Sequence, residues 1–249
     1  MLAKTPRENT KETPMAAAAP ILSLVASIVA LLGPLTAYLG LVAPLTGFML
    51  FVSGALLGGL LSVVLSLIGL VVSRGGRDPQ GRTKALGGLA IGLGLLIVVL
   101  GPAAMAPKVP SINDITTDLD NPPAFESAAI VPDYVGRNMS YPPEFVEIVR
   151  VSYPDLAPLR LATSPDVTFE RAIATAESLG WEIVSRSETR HVFDAQHVSK
   201  IFRFVDDITV RIVPDGPGSR VDMRSKSRDG QSDLGANAAR IRVFFDALR

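Results

Sequence analysis

Two short runs concentrate the residue types that do chemistry. The first is Phe204-Val205-Asp206-Asp207. The second runs Arg224-Ser225-Lys226-Ser227-Arg228-Asp229-Gly230-Gln231-Ser232-Asp233-Leu234-Gly235, with Asn237 just beyond it. Adjacent carboxylates suit proton transfer or oxygen ligation of a cation. Serines between arginines suit a nucleophile beside an anion clamp, or a phosphate cradle at a helix start. A hydrolase also needs a base in contact with its nucleophile. The only histidines are His191 and His197, and neither lies in these runs. Asp206, Asp207 and Asp233 are oxygen donors without a close-spaced metal-loop pattern, so no metal and no cofactor is expected.

The elements that carry these residues decide between the readings. Residues 200–213 alternate as a strand, placing Phe202, Phe204, Ile208, Val210 and Ile212 on one face. Asp206 shares that apolar face, and Asp207 points the other way, outward. Residues 214–218 make a turn, and 219–227 return antiparallel. A four-residue turn pairs 206 with 225; a turn two residues longer pairs 206 with 227. Either sets a serine opposite Asp206 and Arg224 or Lys226 beside Asp207. A carboxylate on an apolar face must be hydrogen-bonded or shifted in pKa. Arg228 is the expected bidentate partner of Asp206. Ser232 is expected to cap a last helix, with Asp233 in its first turn. On this reading the motif is a polar pin joining the last hairpin to the last helix; a ligand or catalytic site built from the same residues is the alternative.

Upstream, Ser164 and Pro165 open a helix that ends at Gly180, and 181–187 and 190–196 read as strands. The order β-α-β-β-β-β-α gives an α+β, two-layer sandwich over 158–249: an antiparallel meander sheet with two helices on one face. Residues 106–157 carry eight prolines and read as an extended linker or wrapping arm, with a short helix at 142–150.

The motif residues, taken together, resemble the family known as domain of unknown function 1499. The pattern F-x-D-D matches at Phe204, Asp206 and Asp207. The pattern R-S-x-S-R-x-G-x-S-D-x-G-x-N matches at Arg224, Ser225, Ser227, Arg228, Gly230, Ser232, Asp233, Gly235 and Asn237. The segment "ITTDLDNPPAF" looks like that of membrane-attached members. The resemblance covers roughly 140–249 and implies the domain, with no agreed activity.

The first hundred residues are of another kind. The chain has 249 residues, and none from Pro14 to Ser73 is charged. A water-facing surface cannot be built from such a run. Spans are expected at about 17–40, 46–73 and 85–105, within a membrane domain over 16–105 that follows a tail at 1–15. Gly54-x-x-x-Gly58 and Gly88-x-x-x-Gly92 place small residues on helix faces, for packing within the chain or for a homo-oligomer. Basic residues gather in the tail (Lys4, Arg7, Lys11) and at 74–84 (Arg74, Arg77, Arg82, Lys84). The bias toward basic cytoplasmic loops then puts the N-terminus in the cytoplasm and 106–249 outside it, periplasmic beyond an inner membrane.

Beyond residue 84 the chain has seventeen basic and twenty-one acidic residues, a poor match for nucleic acid. The absence of cysteine excludes disulfides and thiol chemistry. The function expected is a non-enzymatic, membrane-anchored envelope protein whose outer domain binds a partner protein or a lipid-like ligand. The alternative is an envelope hydrolase or lipid-modifying enzyme using the Asp206/Arg224–Arg228 cluster.

Overall fold

A computed structural model describes residues 14–74, 78–106 and 108–249, with side chains from Ala18 onward. Most of the expected tail at 1–15 and part of the basic 74–84 segment lie outside the described residues. The chain divides at Ala106 into two compact units.

The first unit is helical: α1 (Pro14–Tyr38), α2 (Pro44–Ser53), α3 (Gly59–Val72) and α4 (Pro79–Met105). A π-helical turn, Gly54–Gly58, joins α2 to α3 in one continuous rod. Three helical stretches, Ala18–Tyr38, Pro44–Val72 and Pro79–Met105, are long and apolar enough to cross a membrane. Their packing is inverted relative to a water-soluble core. Small residues such as Ala26, Ala30, Ala55, Ser62 and Ala85 are buried, while Leu31, Leu57, Leu61 and Ile97 stand exposed. That is the arrangement expected where lipid, not water, is the solvent. Both glycine pairs pack inside this bundle. A methyl group on Gly58 would meet Ala26 Cβ at 2.2 Å, and one on Gly92 would meet the Gly59 carbonyl at 3.0 Å. Helix α4, the third expected span, starts six residues earlier than its apolar run suggests. Asp78 caps it, accepting from the Gly81 N–H at 2.8 Å, with Pro79 in the first turn.

The second unit is a mixed α+β domain. Its strands are β1 (Asp114–Thr116), β2 (Leu159–Leu161), β3 (Glu182–Ser187), β4 (Val192–Val198), β5 (Val205–Asp215) and β6 (Gly218–Ser227). The sheet is antiparallel in the order β1-β6-β5-β4-β3, and β2 also pairs with β6. The meander read from the sequence is present. Its tightest turn is shorter than expected, because Asp215 already pairs with Gly218. Gly216, at φ +58°, supplies the positive φ that such a two-residue connection needs. The register that follows sets Asp206 opposite Ser227 and Asp207 opposite Lys226. Strand β5 begins only at Val205, so Phe202 and Phe204 precede it in the turn rather than lying on its apolar face.

Helices α5 (Phe145–Ser152), α6 (Pro165–Ser178) and α7 (Ala236–Leu248) supply the other half of the core. Phe169, Ala172 and Ile173 of α6 and Ile241, Phe244 and Phe245 of α7 close over Phe193, Ile208, Val210, Ile212, Val221 and Met223. Trp181 stacks on Phe244 at 5.0 Å. The opposite sheet face, expected to be solvated, is covered. Residues 117–141 of the proline-rich segment run across it, and Asp207, Thr209, Asp222 and Arg224 beneath them are at most 2% exposed.

Candidate functional site

The motif residues divide between the two faces of the sheet, as strand alternation requires. On the helix-side face, at the end of the apolar core, stand His197, Asp206, Ser225 and Ser227. His197 pairs directly with Asp206 across the β4–β5 ladder. Into this group α7 inserts Asn237 and Arg240, three residues apart and therefore on one helix face. The Ser225 hydroxyl donates to Asn237 Oδ1 at 2.7 Å, and Asn237 Nδ2 donates to Ser227 Oγ at 3.1 Å and to the Asn113 carbonyl at 3.1 Å. Arg240 donates to Ser225 Oγ at 2.9 Å, to Asn237 Oδ1 at 2.6 Å and to His197 Nδ1 at 3.3 Å, and forms an ion pair with Asp206. Burial lowers the His197 pKa, the Arg240 charge lowers it further, and Asp206 opposes them.

This corrects one expectation. The partner of Asp206 is Arg240, not Arg228. The serine-facing carboxylate is met by a charge from the last helix, because Arg228 follows the strand on to the other face. Arg228 instead forks onto Asp207, with Nε to Oδ2 at 2.8 Å and Nη2 to Oδ1 at 2.7 Å, and reaches Asp133 at 3.2 Å. Asp207 is therefore not outward and solvated; it is 1% exposed beneath the arm. Burial raises its pKa, and the Arg228 guanidinium offsets part of that rise.

The same face carries three more clusters of charge. Arg224 forks onto Asp114 of β1, with Nε to Oδ1 at 2.9 Å and Nη2 to Oδ2 at 2.7 Å, and Lys226 shares that carboxylate at 3.2 Å. The Arg224 guanidinium also lies 4.8 Å from the Phe125 ring centre and 5.2 Å from that of Tyr141. Arg211 and Arg220 converge on Asp222 and on Asp118 of the arm, at 2.8–3.2 Å. Asp194 accepts from the Glu126 N–H at 2.8 Å and from the Tyr134 hydroxyl at 3.3 Å. Burial pushes the Asp194 carboxyl up to about 6.

At the helix start the sequence expectation also needs revision. Ser232 Oγ accepts only from the Leu234 N–H, at 3.3 Å. Asp233 does the capping: its carboxylate accepts from Gly235 N–H and Asn237 N–H, each at 2.8 Å. Leu234 and Gly235 both take positive φ, so the chain needs two left-handed residues before α7 can begin at Ala236. A carboxylate therefore fills the place where an anion would sit. Phe204, the remaining motif residue, donates its N–H to Ser199 Oγ at 2.8 Å and holds the turn before β5. Asp206 and Asp207 point to opposite faces of β5, so the three motif carboxylates do not converge on one cation.

A family described as "Protein of unknown function (DUF1499)" matches residues 114–248. The chain belongs to this family. The match begins at Asp114, the carboxylate that receives Arg224, so the DUF1499 unit includes the arm along with the sheet and helices. No curated protein matches the chain.

Two cavities open where the arm meets the motif. One, of about 280 Å³, is lined by Asn113, Arg137, Asn138, Lys226 and Arg228 among others. The second, of about 470 Å³, is lined by Pro122, Phe125, Met139, Tyr141 and Arg224 among others. Arg137, Asn138 and Met139 form a wall common to both. Sequence reasoning missed Arg137, Arg240, Asp114, Asp118 and Asp194. The available signal was the basic excess of β6 and α7, which carry Arg220, Arg224, Lys226, Arg240 and Arg242 against Asp222 and Asp246.

Proposed function

We propose that this chain is a membrane-anchored envelope protein whose domain outside the cytoplasm binds a lipid-like ligand, without catalysis. The observation that carries this reading is the state of Ser225. Its hydroxyl donates to Asn237 and accepts from Arg240, and the residue is fully buried. A guanidinium offers only N–H donors and no acceptor, so Arg240 cannot take the serine proton. It also stands between Ser225 and the nearest imidazole, that of His197. The motif thus lacks the nucleophile–base contact a serine hydrolase needs. The charges that looked catalytic are consumed in fastening the arm and the last helix to the sheet.

A binding role draws support from the cavities beside the motif and from the three apolar helices that precede the domain. The placement proposed is an inner membrane, with the N-terminus cytoplasmic and the DUF1499 domain periplasmic; the cluster of Arg74, Arg82 and Lys84 supports it. An alkaline phosphatase fused after Arg249 is expected to be active, and an inactive fusion would reverse the topology.

Mass spectrometry tests the function. Full-length protein in uncharged detergent, incubated with a mixed phospholipid extract, is expected to retain intact lipid. Release of lyso-lipid or free headgroup, lost in a folded Ser225→Ala variant, would establish the enzyme instead.

A further inference from the structure

The two cavities differ in chemistry, and the difference specifies a ligand. The smaller is bounded by three cationic side chains, Arg137, Lys226 and Arg228, against a single carboxylate, Asp207. Nearby acids reduce this excess without cancelling it. Arg224 and Lys226 share the one carboxylate of Asp114, and Arg228 is divided between Asp207 and Asp133. Arg137 spends its Nε on the Asp133 carbonyl at 2.9 Å, and its terminal nitrogens form no ion pair among the described residues. Four cations thus face three carboxylates, leaving one positive charge uncompensated. Lys226 and Arg228 are held in place by their partners, while Arg137 is exposed and ready to close on a ligand.

Across the common wall of Arg137, Asn138 and Met139, the larger cavity adds aromatic and apolar surface at Phe125, Tyr141 and Pro122, beside Ser140 and the Asp114-bound Arg224. The Tyr141 hydroxyl is buried there without a hydrogen-bond partner in the protein. Together the two spaces fall within the roughly 300–1,000 Å³ typical of small-molecule sites.

We infer that the paired cavities form a binding site for an amphiphile whose head is a singly charged phosphodiester. The oxyanion is held by Arg137 and Lys226, whose N–H groups donate to it, and the first carbons of the apolar part lie against Phe125 and Met139. A planar fork and an ammonium together suit a phosphate, and one net negative charge matches the one positive charge left over. This inference rests on the ligand-binding reading above and adds to it the head chemistry and the location.

The test is a calorimetric titration of full-length protein in uncharged detergent. The probes are short-chain phosphatidylglycerol, short-chain phosphatidylcholine and inorganic phosphate. Phosphatidylglycerol is expected to bind best. Arg137→Gln and Lys226→Met are each expected to weaken it about tenfold, the worth of one charge-assisted hydrogen bond. Arg150→Gln, a remote exposed charge paired only with Glu147, is expected to change nothing. Phosphatidylglycerol binding that Arg137→Gln leaves intact would overturn the location while leaving the ligand-binding reading standing. Inorganic phosphate binding as tightly as the lipid would overturn the amphiphile, and equal affinity for phosphatidylcholine would overturn the charge argument. Failure of every lipid to bind wild-type protein would instead sink the ligand-binding reading itself.

Discussion

Arg224 of β6 and Asp114 of β1 lie 110 residues apart in sequence and form a two-pronged ion pair at 2.7 and 2.9 Å, sealed from solvent. This contact fastens the start of the proline-rich arm to the edge of the sheet. Burying two charges costs much of what their attraction returns, so such a pair adds little net stability while intact. Removing one partner is another matter, since it strands the other charge.

Arg224→Met is accordingly expected to destabilise the domain by about 3–5 kcal/mol. Arg224→Lys should recover only part of this, because an ammonium cannot fork onto both oxygens. Denaturant unfolding followed by Trp181, the single tryptophan, checks both values. Limited proteolysis should find new cleavage within 117–141 in Arg224→Met, and an arm as protected as in wild type would contradict the fastening role.

Asp194 gives a pH signature. Its folded pKa is about 6, raised by burial, against an unfolded value near 3.9. Between those limits the folded protein holds a proton that the unfolded chain releases. The group's contribution is therefore fully present below about pH 4 and is lost as pH rises through about 6. Asp194→Asn keeps an acceptor for Tyr134 and for the Glu126 N–H, and can offer its amide to Thr209 Oγ1 on the facing strand. At pH 8 it is expected to stabilise by on the order of 2 kcal/mol, with little gain at pH 4. Equal effects at the two pH values would contradict the assignment.

His197 should act in the opposite direction. Its pKa is lowered by burial first and then by Arg240, so the unfolded chain binds a proton more readily. Stability from this group is present above its unfolded pKa of about 6.5 and falls as pH drops through the folded value. His197→Gln is expected to blunt that loss. Melting curves from pH 7.5 downward compare the two proteins, and parallel curves would refute the expectation.

Within the apolar unit, Gly33 of α1 meets α2 backbone to backbone. A methyl group there would sit 2.3 Å from the Gly47 carbonyl and 2.7 Å from the Phe51 nitrogen. Gly33→Ala is expected to cost about 1–3 kcal/mol through overpacking. Gly87→Ala, whose added carbon meets nothing within 4 Å, is expected to be neutral. Heating each variant in detergent and counting the fraction still monodisperse separates them, and equal loss would remove the close approach as a cause.

The sheet was legible, and its register narrowed to two choices, because Ile208, Val210 and Ile212 alternate with polar residues, as Val221 and Met223 do on the returning strand; the tight turn at Gly216 that selects between them was not. The apolar spans were legible from the long uncharged run. The destination of the outward face was not. Asp207, Thr209 and Arg211 alternate just as a solvated face does, and the pattern is the same whether water or a charged arm covers them. Strand β1 has only three residues, too few to show a period, and its partner lies more than a hundred residues away. Arg240 was hidden because its role depends on how α7 crosses the sheet, although its position three residues after Asn237 puts it on the motif's side of that helix.

The central claim is that the motif's charges are architectural, and the Asp206–Arg240 pair tests it most directly. Asp206→Asn, Arg240→Gln and the double variant, unfolded in denaturant at pH 7.5 with Trp181 as reporter, give the pair's coupling energy. Each single change is expected to destabilise clearly, with a favourable coupling of about 1–3 kcal/mol. Single variants that melt like wild type yet lose ligand or activity would contradict it, and would make this cluster a working site.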